Sequence, residues 1–358
     1  MNKLGVIQVI DSLDAGGAEV LAINIANALG NEGVNSHLCT TRKEGVLKSN
    51  LNKNIDFLFL GRKKSIDFLA IFRFKKYLKK NNIGIIHAHT TSYFFAFCIK
   101  LIYPKVKIIW HNHTGNYVNL KGFKFFVIKF ISTFFDGIIN VNEELNTWSI
   151  KKLKHKNSIK LDNFPQFINK SKTTKLNGKD NKRIVILASL RKVKNHLNLL
   201  EAFNSIHIKY PDWTLHFIGK DFNDSYSKKI KQFILQNGLE KSVFLYGLCL
   251  DIEYILKQTT IGVLSSNSEG LPVSLLEYGL AKLPVVVTNV GECSKVIENG
   301  KSGLIVEKEN SNVFAKALEE YILSVDKRCS LGNMHFKNVE KKYSQERFII
   351  QLKNIYTL

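Results

Sequence analysis

Short apolar, β-branched runs alternate with segments whose apolar residues recur every three or four positions, and the alternation is sustained along most of the chain. In the first half the runs predict strands at 4–10, 34–39, 55–60, 83–87, 106–111 and 137–141. The periodic segments between them predict helices near 18–30, 66–80, 92–102, 121–134 and 143–151. A polar, basic stretch without periodicity follows at 169–183 and reads as a loop or linker. The alternation then restarts, with strands near 183–188, 213–219, 243–246, 261–265, 284–288 and 303–306. Helices are expected near 196–209, 225–237, 251–258, 272–282 and 310–324. Regular strand–helix alternation predicts α/β architecture, parallel sheets with helices on both faces. At 358 residues the chain exceeds the size at which one core stops growing, so two Rossmann-like domains are expected, over 1–168 and 169–343.

Composition narrows the class. The apolar share of 45% suffices for packed cores, and 52 basic against 30 acidic residues give a formal charge of +22. Such a balance favours an anionic partner: nucleic acid, a membrane surface or a phosphorylated substrate. The five cysteines are scattered without metal-ligand spacing, which suits a reducing compartment and argues against a thiolate zinc site. The first apolar run carries Asp11 and no small-residue cleavage site, so it is read as a strand and not a signal peptide. No apolar run reaches membrane-spanning length; that from Phe125 to Phe135 is short and interrupted by Lys129.

In such sheets ligands bind beyond the carboxyl ends of the strands. The loop after the first strand holds Gly16 and Gly17, where backbone can approach a ligand and a helix start can hold an anion, although a bare Gly-Gly pair is more often just a turn. After the fourth and fifth strands come His87-Ala88-His89 and His111-Asn112-His113. Alternate strand residues share a face, so His-x-His can suit a metal, but nothing else pairs with these by spacing and no metal is expected. His87 reads as structural. For His89 and His113, where an interdomain cleft should lie, a hydrogen-bonding or acid/base role stands beside a structural one. In the second half Arg191, Lys192 and Lys194 crowd one strand–helix loop, a costly arrangement unless an anion arrives. Further on, Glu269 and Glu277 flank a helix opened by Pro272 at its first position. Amides of a helix start suit phosphate and carboxylates suit hydroxyls, so a sugar nucleotide fits there; taken alone, the pair reads more readily as two surface acids on a buried amphipathic helix.

A basic-aromatic feature remains. Lys121 to Phe135 has more apolar surface than one core-facing stripe requires, and Arg62-Lys63-Lys64 with Lys75, Lys76, Lys79 and Lys80 brackets another apolar helix. Lysines beside exposed Phe and Leu fit a helix lying on an anionic membrane, or buried helices with solvated edges. No nucleic-acid motif is present and nucleic acid is not an expected partner.

Taken together, Gly16-Gly17-Ala18-Glu19, Arg191, Lys194-Asn195, Phe217-Ile218-Gly219, the Glu269/Glu277 pair and Pro284 to Gly291 resemble glycosyltransferase family 4, the retaining GT-B enzymes, over essentially the full length. The stretch 266–291 and the segment 298–307, ENGKSGLIVE, are its most specific parts. The resemblance implies the GT-B fold, two Rossmann-like domains with parallel sheets facing a central cleft, an N-terminal acceptor-binding domain and a C-terminal nucleotide-sugar-binding one. A C-terminal helix within 344–358 is expected to cross back to the first domain. By resemblance Arg191 and Lys194 neutralise the donor diphosphate, Glu277 binds the ribose and Glu269 contacts the transferred sugar. Gly16, Gly17 and the backbone of Gly270, Leu271, Pro272 and Val273 approach phosphate and sugar. His113, or else His111, matches the histidine near that sugar. Relatives often have arginine where this chain has Ser189, so Arg191 or Lys192 takes the second cationic role; Lys295 stands where an acid is frequent.

The implied reaction is metal-independent transfer with retention, from a UDP- or GDP-sugar, with no further cofactor. The acceptor is expected to be lipid-linked or an oligosaccharide, in capsule, exopolysaccharide or lipopolysaccharide synthesis, at the cytoplasmic face of an anionic membrane. A nucleotide-sugar epimerase or hydrolase of the same fold, and a non-catalytic basic binder of membrane or nucleic acid, are the competing classes.

Overall fold

The computed structural model describes residues 5–14, 16–113, 115–167 and 172–357. The chain forms two compact units: Met1–Asn163 together with Gln345–Leu358, and Phe164–Ser344.

Unit 1 runs β1 (Gly5–Ser12), α1 (Gly17–Asn31), β2 (Ser36–Lys43), β3 (Asp56–Phe59), α2 (Phe68–Lys80) and β4 (Ile83–His89). It continues through α3 (Tyr93–Ile102), β5 (Lys107–Asn112), α4 (Gly122–Ser132), β6 (Gly137–Asn140), α5 (Glu143–Trp148) and β7 (Ser158–Lys160). Among the described residues the strand order is β3-β2-β1-β4-β5-β6-β7, and every neighbouring pair is parallel. Strand alternation divides the sheet's side chains between two faces. Ile7, Val9, Ile86, Ala88, Ile108 and Trp110 pack with α2, α3 and α4 in one core. Gln8, His87, His89 and His111 occupy the intervening positions and are also fully buried.

Unit 2 runs β8 (Arg183–Leu187), α6 (His196–Lys209), β9 (Thr214–Ile218), α7 (Ser225–Gln236), β10 (Val243–Gly247), α8 (Ile252–Lys257) and β11 (Ile261–Leu264). Then come α9 (Val273–Leu280), β12 (Val285–Thr288), α10 (Cys293–Val296), β13 (Leu304–Val306), α11 (Ser311–Leu323) and α12 (Val325–Tyr343). The order is β10-β9-β8-β11-β12-β13, again parallel throughout. Ile184 and Ile186 face a core built with α6, α7 and α11, whereas Val185 faces one built with α8 and α9. Helix α13 (Gln345–Tyr356) belongs to unit 1, where Phe348, Ile349, Leu352, Ile355 and Tyr356 are buried.

Three elements differ from the sequence expectation. β7 is three residues long and carries no apolar run. α10 is a single turn. α12 is long but polar, and its inward positions Leu331, Gly332, His335, Val339 and Tyr343 include a glycine and a histidine, which erases the apolar stripe. The polar stretch read as a linker is not loose over its described part. Thr173 and Thr174 donate four hydrogen bonds to the Asp251 carboxylate at 2.7–3.0 Å, and Arg183 holds the carbonyls of Asn177 and Gly178. Residues 169–171 of that stretch lie outside the described residues.

Candidate functional site

In each sheet the strand order reverses beside the first strand, between β1 and β4 in unit 1 and between β8 and β11 in unit 2. Connections leave these neighbouring strands toward opposite faces, which opens a crevice at their carboxyl ends. The candidate residues gather there.

In unit 2 the loop after β8 is tied to the loop after β11. Asn195 takes the left-handed conformation (φ 48°, ψ 50°) that turns the chain into α6. Its amide Nδ2 donates to Asn267 Oδ1 at 2.8 Å, the Asn267 N–H donates to the Val193 carbonyl at 2.8 Å, and Ser265 Oγ donates to the Lys194 carbonyl at 2.9 Å. These bonds aim Lys194 at Glu269, Nζ to Oε1 2.6 Å, with Ser266 Oγ donating to the same oxygen at 2.5 Å. The Glu269 side chain is 8% exposed and that of Lys194 24%. A pair so shielded contributes little net stability, yet removing either partner strands the other charge, at a cost of roughly 3–5 kcal/mol.

Helix α9 is set by close packing on both sides. Gly262 lies against the Tyr278 ring, where a Cβ would come within 2.8 Å, and the Leu187 N–H donates to Tyr278 Oη at 2.7 Å. On the far side Gly279 meets Val339, and Gly332 lies where a Cβ would stand 2.2 Å from the Lys282 carbonyl oxygen. Gly291 (φ +54°) lets the turn after β12 pass over Glu269 and Gly270, and the Glu292 N–H donates to the Gly270 carbonyl at 3.0 Å. Pro272 is the residue before the helix and not its first, and it offers the leading amides no side-chain acceptor. Glu277 therefore sits in the second turn of α9, and burial of its carboxyl pushes the pKa up to about 7.

The structure joins Lys194 to Glu269 but does not bring Arg191 to them. Arg191 is exposed, its guanidinium 5.0 Å over the Phe222 ring, and Lys192 is exposed beside it. Lys295 pairs with Glu292 at 2.9 Å.

In unit 1 Gly16 caps α1 in extended backbone, and Gly17 opens the helix with no atom within 4 Å of where a Cβ would stand. Ala15 and Thr114, in the turns beside Gly16 and His113, lie outside the described residues. β4 and β5 pair with His89 opposite His111, so both His-x-His segments share one face. Spacing along the chain does not reveal this, because strand pairing and not sequence distance supplies the third imidazole. Nitrogens of His87, His89 and His111 lie within 4.8 Å of one another. Most are already hydrogen-bonded: His87 Nδ1 to Tyr356 Oη (2.7 Å), His87 Nε2 to His111 Nδ1 (3.1 Å), His89 Nδ1 to His113 Nε2 (3.0 Å) and His89 Nε2 to Gln8 Oε1 (2.9 Å). Desolvation holds His87 and His113 down at about 3, and His89 and His111 well below the ordinary imidazole range, so all four are neutral near pH 7.

Two groups escaped the sequence reading. Gln8 and Tyr356 complete the histidine array, and the signal for Gln8 was an amide at an inward position of a buried strand. Arg62, grouped with the surface lysines, is instead buried: its guanidinium reaches Asp11 Oδ1 at 3.0 Å beside Thr41, and Thr91 donates to Asp11 Oδ2 at 2.7 Å. The apolar excess of α4 and α2 is exposed, with Phe123 82%, Phe126 66%, Phe130 62%, Phe68 69% and Leu69 79%. No helix among the described residues is long and apolar enough to cross a membrane.

Residues 167–337 match the family described as Glycosyl transferases group 1, and residues 15–157 match Glycosyltransferase Family 4. An uncharacterized glycosyltransferase of Haemophilus influenzae is 24% identical over 99% of this chain and 100% of its own length. The O-antigen biosynthesis glycosyltransferase WbnH of Escherichia coli is 25% identical over 87% of this chain and 88% of its own. The crystal structure of HepE from Anabaena, in complex with UDP and glucose, superposes with a TM-score of 0.81 at 16% identity, over 99% of this chain and 100% of that one. The two parallel-sheet units thus carry the GT-B fold.

Proposed function

Because this chain belongs to the group 1, family 4 glycosyltransferases, we propose that it moves a sugar from a nucleotide-diphosphate sugar, UDP- or GDP-linked, to a lipid-linked or glycan acceptor in surface polysaccharide synthesis. The observation that carries the reading is the Lys194–Glu269 pair at the β8/β11 reversal, with Glu277 desolvated one helix turn into α9. A carboxyl held up at about 7 loses its hydration without gaining a cation, which suits an acceptor awaiting ribose hydroxyls.

In this reading Lys194 and the amides at the start of α9 take the diphosphate, Arg191 swings from Phe222 to join them, and Glu269 accepts from a hydroxyl of the transferred sugar. The resemblance assigns Gly16, Gly17 and His113 of unit 1, and the backbone of Gly270 to Val273 of unit 2, to phosphate and sugar. As the C1–O bond to the diphosphate breaks, negative charge grows on the leaving oxygen, and Lys194 stabilises it without reorganising. The acceptor oxygen bonds C1 on the face the diphosphate leaves, with retention, and its proton passes to the departing phosphate oxygen. These cations make a metal unnecessary to the step.

HepE, which shares the fold, is described with UDP and glucose, and WbnH is named for O-antigen synthesis; both support the donor and acceptor classes. The exposed Phe and Leu of α2 and α4 stand beside Lys76, Lys79, Lys80, Lys121 and Lys124. Leaving each such side chain in water forgoes roughly 1.5–3 kcal/mol, which an anionic membrane surface would recover. This supports a peripheral location at the cytoplasmic face. The test is acceptor-dependent release of nucleoside diphosphate from a panel of nucleotide-sugars, with product configuration read by NMR. Release that ignores the acceptor would replace transfer by hydrolysis, and an inverted product would remove retention.

A further inference from the structure

We propose that Gln8 and Tyr356 are positioning residues that order the protons of the four-histidine array, so that His113 offers its Nδ1 as a hydrogen-bond acceptor. The geometry is confined to unit 1 and joins β1, β4, β5 and α13. Ring centroids step at 4.5 Å from His87 to His89, 5.1 Å from His87 to His111, 5.3 Å from His89 to His113 and 4.1 Å from His111 to His113.

Each proton follows from its neighbour. The Gln8 amide lies between the two branches, its Nε2 donating to Tyr356 Oη (3.3 Å) and its Oε1 facing His89 Nε2 (2.9 Å). A carbonyl oxygen only accepts, so His89 Nε2 carries hydrogen. His89 is neutral, so its Nδ1 is bare and must accept from His113 Nε2. That leaves His113 Nδ1 without a proton. On the other branch burial keeps the Tyr356 phenol protonated. Its oxygen already accepts from Gln8, so its hydrogen goes to His87 Nδ1; His87 Nε2 then donates to His111 Nδ1. One donor is left over, His111 Nε2, a buried nitrogen without a hydrogen-bond partner among the described residues.

Turning the Gln8 amide over reverses every proton on the His89–His113 branch and makes His113 Nδ1 a donor. The Nε2 donation to Tyr356 Oη is what turns the amide oxygen toward His89, and with that orientation the hydroxyl's own hydrogen is left for His87 Nδ1. The helix that carries Tyr356 lies near the end of the chain, yet it determines the chemistry at the end of β5. This inference rests on the proposed role of His113 at the sugar, where a bare nitrogen would accept from a hydroxyl.

The test is ¹⁵N NMR of histidine-labelled full-length protein, with the His113 resonances assigned by His113→Asn. In the parent, His113 is expected as a single Nε2–H form. Tyr356→Phe should convert it to a mixture of the two tautomers while the melting temperature shows the fold retained, and Gln8→Met should do the same by a separate route. Loss of one hydrogen bond of about 1 kcal/mol shifts the tautomer ratio about fivefold, with a comparable drop in kcat and little change in donor KM. A single Nδ1–H form in the parent, or a His113 signal unmoved in both variants, overturns the proposal. The tautomer is read without turnover, so ordered protons in a chain that transfers no sugar would overturn the proposed function and leave the array intact.

Discussion

Replacing Glu277 with glutamine should stabilise the protein and weaken its ligand binding together, a combination that separates a site residue from a structural one. A carboxyl held at about 7 and not 4.5 costs the ionised folded state about 3 kcal/mol, an upper bound because water still reaches part of the residue. The sign follows from proton uptake. Below pH 4.5 both folded and unfolded chains are protonated and the penalty is absent. From there to about 7 the unfolded chain releases its proton first, so stability falls as pH rises, and above that range the full penalty applies. Glutamine has no such equilibrium. The stability difference between Glu277→Gln and the parent should therefore be flat at acid pH, grow in favour of the variant through this window, and level off near pH 8. In a unit of this size it corresponds to about 6–10 °C in melting temperature. The same variant loses a charged acceptor for ribose hydroxyls, worth about 1.5–3 kcal/mol, or roughly 10- to 100-fold in nucleotide affinity. Calorimetric melting across pH and titration with nucleoside diphosphate measure the two effects. A difference that does not grow with pH refutes the desolvation, and a more stable variant with unchanged affinity refutes the binding role.

Lys194→Met should reduce nucleoside diphosphate affinity at least tenfold and leave Glu269 uncompensated, with Lys194→Arg recovering part of the loss; equal affinity in all three proteins would remove Lys194 from the phosphate site. Changing Phe123, Phe126 and Phe130 together to serine should leave the melting temperature within a few degrees, since these rings are exposed, and should abolish flotation with anionic vesicles. Flotation that persists in that variant, or that ignores salt in the parent, would contradict the membrane-surface reading.

The alternation of apolar runs made both sheets legible because parallel strands buried on two faces are continuous in β-branched residues, as in Val285 to Val287. α12 was not legible, since its contact with α9 uses Gly332 and His335 in place of an apolar stripe, and the glycine is there to let two backbones approach. The Lys194–Glu269 pairing joins loops 75 residues apart, and sequence suggested each residue but not their contact. The histidine array was half visible: each His-x-His pair shares a strand face by alternation, but the register of β4 on β5 and the return of α13 to unit 1 are tertiary facts. Arg62 was misplaced for a related reason. A basic triplet reads as surface, whereas Asp11 and Thr41, on two neighbouring strands, supply the buried partners that make its interior position tolerable.

The most direct test of the donor site is calorimetric titration of the full-length protein with UDP and with GDP, repeated on Glu277→Ala and Lys194→Met whose melting curves show them folded. Saturable one-to-one binding of one of the two nucleotides by the parent, without added metal, is expected, together with its loss in both variants. Binding that survives both substitutions, or that neither nucleotide produces, would contradict the assignment of the donor to this site.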